Sequence, residues 1–165
     1  MAHHNTIKAN SYNSLAQRLN IFPQGAPPTE LLFKILKVLF SEREAKLVSL
    51  LPIKSFTDKK AAAIWKLNLS DARVILNDLA DRGILLDYEE EGNTTYVLPP
   101  PMAGFFEFSM MRYRKDIDQK VLAELFYQYM NVEEDFIKDL FLNGETQLGR
   151  VFVNEAVLTL SLIHI

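Results

Sequence analysis

Residues 70–83, SDARVILNDLADRG, limit the possible folds more sharply than any other stretch of this chain. Ala72, Ile75, Leu76, Leu79 and Ala80 recur at i, i+3, i+4, i+7 and i+8, which places them on one stripe of a helix. Ser70 is the predicted N-cap and Gly83 the predicted C-terminal stop. A helix apolar on one side only must bury that side, so other elements have to pack against it.

Those elements are legible on both sides. Downstream, ILLDY and TTYVL flank a polar EEEGN in which Gly92 and Asn93 tolerate positive φ, and prolines 99–101 follow. The pattern predicts two strands, a tight turn and an abrupt end. Upstream, Thr29 opens a helix with Leu31, Leu32, Ile35, Leu36, Leu39 and Phe40 on one stripe. Ser41 to Glu44, SERE, has capping-box spacing for a second helix that stops at Pro52. Thr57 caps a third, DKKAAAIWKL, with Phe56 placed to staple against Ala61 and Trp65 expected in the core.

Helix, short turn, helix and hairpin in that order make the expected fold class mainly α with a small β-hairpin, a winged helix-turn-helix over 28–101. Residues 1–27 read as a polar N-terminal arm ending in PQGAPP, an extended connector, with Leu15, Leu19 and Phe22 spaced for a short amphipathic turn. Residues 102–158 read as a helical extension of two or three helices, the last closed by Gly144. Within it GFFEFSMMR crowds Phe105, Phe106, Phe108, Met110 and Met111 together, a pattern expected of core and compatible with a partner surface. Residues 159–165, TLSLIHI, lack charge and turn signals and resemble a translated adapter scar, so they are expected to be a non-native tail.

Charge decides how the winged helix is read. A DNA-binding wing and recognition helix neutralise phosphates with basic side chains. Between Asn68 and Leu98 stand seven acids (Asp71, Asp78, Asp81, Asp87, Glu89, Glu90, Glu91) against Arg73 and Arg82, a local net of -5. Arg73 and Asn77 are residue types that read base edges, yet Asp71, Asp78 and Asp81 surround them, so a solvated helix face is the favoured reading. Lys54, Lys59, Lys60 and Lys66 form a basic stretch at the preceding helix. The whole chain carries a net charge of -3, and no global field draws it to nucleic acid or an anionic membrane.

Chemistry is sparse. The absence of cysteine excludes thiol nucleophiles, zinc fingers and thiolate-held clusters from this stretch. His3, His4 and His164 stand at the chain ends, away from any catalytic or metal geometry. The acidic clusters Glu89 to Glu91 and Glu133 to Asp135 lack calcium-loop spacing. No phosphate loop, dinucleotide fingerprint or nucleophile elbow occurs. No catalytic, cofactor-binding or metal residue is therefore designated, and an enzyme ranks last among the readings. With no signal-peptide pattern and no apolar run of membrane-span length, the expected location is cytoplasmic.

At PQGAPPTELLFKILKVLFSEREAKLVSLLPIKSFT, and again at GFFEFSMMR and ETQLGRVFVNEA, the sequence resembles the N-terminal region of bacterial and archaeal ferredoxin-type proteins with four-iron four-sulfur clusters. The likeness runs from about Tyr12 to Ala156. It implies a winged-helix-like region followed by cysteine-rich segments with C-x-x-C-x-x-C repeats, whose thiolates hold the clusters. No position here matches a cluster ligand, so only the architecture transfers, and the chain is expected to be truncated before the cysteine motifs. The resulting expectation is a non-catalytic interaction module of an iron–sulfur electron-transfer protein. No cofactor is expected in this chain and four-iron four-sulfur clusters are expected in the full-length protein. The expected partner is the missing C-terminal iron–sulfur region or a redox protein, not nucleic acid or a membrane. The alternative is a winged-helix DNA-binding transcription regulator, dimerised by its extension.

Overall fold

The computed structural model describes residues 2–22, 25–90 and 92–132, together with Glu134 and Lys138; for residues 2–10 and Ala103 it describes the backbone alone. Among the described residues, seven helices and three short strands run in the order α1 (Ala2–Leu19), α2 (Glu30–Leu39), α3 (Glu42–Ser49), β1 (Phe56–Thr57), α4 (Asp58–Trp65), α5 (Leu69–Asp81), β2 (Leu86–Glu90), β3 (Asn93–Val97), α6 (Phe106–Met110) and α7 (Gln119–Tyr127). The protein is mainly helical, with one small antiparallel sheet of order β1-β3-β2.

The first helices begin where the capping residues stand. Thr29 accepts from the Leu32 amide at the start of α2. Ser41 and Glu44 close the reciprocal capping box of α3: the Glu44 amide donates to Ser41 Oγ, and the Ser41 amide to Glu44 Oε2 at 2.7 Å. Thr57 accepts from Lys60 at the start of α4. Each side chain satisfies an amide that has no partner within its helix.

From β1 onward the chain follows the winged helix-turn-helix arrangement. α4 and α5 are joined by a three-residue turn, and β2 and β3 form the wing, with β1 added on the β3 side. Asn68 caps α5, accepting from the Asp71 amide at 2.8 Å, so the expected cap at Ser70 is corrected by two residues. Asn and Ser cap about equally well; the turn after α4 ends at Asn68 and decides between them. At the other end, Gly83 (φ +71) forms the expected stop, its amide bonding to Ala80 and that of Ile84 to Leu79. This is a Schellman closure, and buried Ile84 and Leu79 provide its apolar contact. In the wing, Glu90 pairs with Asn93. Asn93 therefore belongs to the strand, and Gly92, at φ +76, takes the positive φ before it.

The polar arm expected over 1–27 is a helix of 18 residues for most of its length. Tyr12, Leu15, Ala16 and Leu19 are buried in the same core as α2 to α5, and α1 packs against α3. The four residues fall at i, i+3, i+4 and i+7, a stripe diluted to the eye by Asn13, Ser14, Gln17 and Arg18 between them. Three long-range bonds fasten it. The Tyr12 hydroxyl donates to the Phe40 carbonyl at 3.0 Å, and buried Arg18 donates to the carbonyls of Leu51 and Pro52 at 3.2 and 2.6 Å.

The extension after Pro101 shares that core as well. A π-helical turn, Pro101–Phe105, leads into α6, and its wide 5-residue bond runs from the Phe105 amide to the Pro100 carbonyl at 3.1 Å. Phe105 and Phe106 are buried and sit edge-on at 4.8 Å; Phe40 meets Phe105 at 6.1 Å and Phe126 meets Phe106 at 4.9 Å. Offset and edge-on contacts of this kind suit the ring quadrupoles. Met111, by contrast, is 76% exposed, so the apolar run splits between core and surface. Trp65 is buried and donates from Nε1 to the Leu47 carbonyl at 2.8 Å. The third expected helix with Gly144, and the tail 159–165, lie outside the described residues apart from Glu134 and Lys138.

Candidate nucleic-acid interface

In this fold the surface available to a nucleic acid is built from the helix-turn-helix and the wing. The turn between α4 and α5 holds Lys66 in the left-handed conformation (φ 55, ψ 41), which aims the chain into α5. α5 then buries Ala72, Leu76, Leu79 and Ala80 and turns Asp71, Arg73, Val74, Asn77, Asp78 and Asp81 outward. Every residue of β2 is exposed, including Asp87, Glu89 and Glu90.

Both arginines of this face are engaged within the protein. Arg73 donates from Nε and Nη2 to Asp58 Oδ2, at 2.9 and 2.6 Å. Partial burial pushes the Asp58 carboxyl up, but the Arg73 hydrogen bond, the Lys59 amide and the Arg73 charge together hold it below the usual carboxylate range. Arg82 is more enclosed: it pairs with Glu44 on α3, reaches Asp78 Oδ2 at 3.0 Å, and donates to the Leu39 carbonyl at 3.3 Å. An arginine held by two carboxylates and a carbonyl has few donors left for a phosphate.

Asn77, the other residue type suited to reading a base, is held by the wing. Tyr96 on β3 donates its hydroxyl to Asn77 Oδ1 at 2.7 Å. Burial raises the Tyr96 pKa, and the nearby charges of Asp58 and Asp87 raise it further, so this hydroxyl stays protonated and donating. Sequence reasoning found Arg73, Asn77 and Arg82 but not their pairing with Asp58, Tyr96 and Glu44, which lie 15, 19 and 38 residues away from them. No local spacing rule reaches that far.

Lys54, Lys59, Lys60 and Lys66 are all exposed, on α4 and the turns beside it. A groove of about 250 Å³ runs between α3 and α5, lined among others by Ser41, Glu44, Val74 and Asp78. Its Ser41 and Glu44 are the capping box of α3. A second groove, of about 340 Å³, separates the start of β2 from the end of α6. Among the described residues no group of three or more His, Asp or Glu side chains stands close enough to hold a metal, and no helix is long and apolar enough to cross a membrane. His3 and His4 lie on the backbone-only part of α1, and His164 lies outside the described residues. Comparison with protein-family models, curated proteins and solved structures finds no match to this chain.

Proposed function

We propose that this chain is a non-catalytic interaction module of an iron–sulfur, ferredoxin-type electron-transfer protein in the cytoplasm. The observation that carries the interaction half of this reading is the internal engagement of Arg73 and Arg82 on a face otherwise studded with carboxylates. A winged helix so charged is better suited to a protein partner than to phosphate. The iron–sulfur half rests on the resemblance carried by PQGAPPTELLFKILKVLF, GFFEFSMMR and ETQLGRVFVNEA. The partner on this reading is a cysteine-bearing iron–sulfur region, covalently continuous or separate, or another redox protein. Four-iron clusters are typically held by about four thiolates, and this chain supplies none.

The test is anaerobic expression with iron and sulfide, of the chain alone and of the uninterrupted reading frame that contains it. The expected result is no bound iron in the first product, with C-x-x-C motifs and bound iron in the second. A reading frame without cysteine would remove the iron–sulfur assignment. The second reading, a transcription regulator, is favoured by the exposed lysines around α4 and is tested by titration with duplex DNA.

A further inference from the structure

We propose that the outer edge of β2 receives an extended, basic segment of a partner protein as an additional strand. β2 is the terminal strand of the order β1-β3-β2, and all five of its residues are exposed. Its pairing with β3 is regular from Leu86↔Val97 to Glu90↔Asn93, with no bulge or proline to blunt the edge. Glu90 and Asn93 are the last pair of the ladder, with two residues between them in sequence, and the closing pair of such a hairpin is a hydrogen-bonded one. By the alternation of an antiparallel ladder, Leu86, Tyr88 and Glu90 then direct their main-chain groups toward β3, whereas Asp87 and Glu89 direct theirs outward. Two N–H and two C=O groups are thereby presented at the spacing an incoming strand requires.

Side chains give the edge its selectivity. At its start, the groove of about 340 Å³ is lined by Leu85, Leu86, Phe108 and Met111. Leu86, Tyr88 and Met111 are 41%, 43% and 76% exposed, a concentration of large apolar surface beside an open edge. Along the strand the charges Asp87, Glu89 and Glu90 are all negative. They repel the same edge of a second copy and repel phosphate, while opposite charges directly across a strand pair are favourable. A segment that fits has Lys or Arg at alternate positions facing Asp87 and Glu89 and an apolar residue entering the groove. Arg112, at the groove, disfavours a third base there. An edge carrying charge only to prevent aggregation needs no apolar groove at its end. The inference rests on the interaction-module reading but not on the iron–sulfur assignment.

The experiment uses the whole chain and two labelled peptides of alternating Val and Lys, or Val and Glu, each ending in Leu. Binding is followed by anisotropy, and hydrogen exchange of individual amides by NMR. The Lys peptide is expected to bind, to slow exchange at the Asp87 and Glu89 amides by at least about tenfold, and to weaken as salt rises. Asp87→Lys with Glu89→Lys, both at exposed positions, is expected to transfer the preference to the Glu peptide. Equal binding of both peptides, or unchanged exchange at those two amides, would overturn the proposal. So would protection that grows with protein concentration alone, which assigns the edge to a second copy, or protection by duplex DNA, which assigns it to nucleic acid.

Discussion

Arg73, on the helix that would enter a DNA groove, is tied to Asp58 at the start of the preceding helix, with both of its bonded nitrogens on one carboxylate oxygen at 2.9 and 2.6 Å. The Asp58 side chain is only 13% exposed, so the pair is half-enclosed even though Arg73 itself reaches solvent. Its pH dependence follows from the lowered Asp58 pKa. A carboxyl lowered on folding stabilises the fold above its unfolded value, about 3.9, and that contribution is lost as pH falls through the lower folded value. Arg73→Ala is therefore expected to destabilise the protein by about 1 kcal/mol at pH 7. Urea melts of both proteins should converge as pH drops below about 4. A difference that stays constant down to acid unfolding would mean that the pair contributes nothing.

Positive φ occurs at Gly83, Gly92 and Lys66, and the three surroundings differ. A Cβ on Gly83 would stand 2.5 Å from the Phe108 carbonyl oxygen, whereas one on Gly92 would meet nothing within 4 Å. Gly92→Ala should cost only the left-handed penalty, about 1 kcal/mol, and Gly83→Ala at least about twice that. Lys66→Gly should stabilise by roughly 0.5 kcal/mol, because it relieves the penalty while loosening the unfolded chain. Equal costs for the two alanine variants would refute the close approach of α6 to the end of α5.

Much of this architecture can be read locally, and the exceptions have physical reasons. Thr29, the Ser41–Glu44 box, Thr57 and Gly83 act where short-range hydrogen bonding predicts, since each bond closes within a few residues. The helix α1 is less visible because its buried stripe is narrow and its other face is polar enough to read as an arm. The Asn68 cap depends on where the turn after α4 ends, which no propensity specifies. The pairing of Arg73, Asn77 and Arg82 is hidden from the sequence because their partners Asp58, Tyr96 and Glu44 become neighbours only once the chain has folded.

Inside and outside are separated most plainly by α5 and the wing. Leu76 and Leu79 are fully buried, while Glu90 is exposed. Leu79→Ala should destabilise by about 2 to 5 kcal/mol, and Glu90→Ala by no more than about 0.5 kcal/mol. Comparable urea midpoints for the two variants would contradict the assignment of this helix face to the core.

On the proposed reading, a winged helix with its arginines paired internally faces protein and not nucleic acid. The most direct measurement is a titration of fluorescently labelled genomic duplex fragments with the purified chain at about 50 mM salt, where non-specific phosphate affinity is strongest. The expected result is no saturable binding and no change on Arg73→Ala. Saturable binding that falls steeply with salt and disappears in Arg73→Ala would contradict it and make the regulator the better reading.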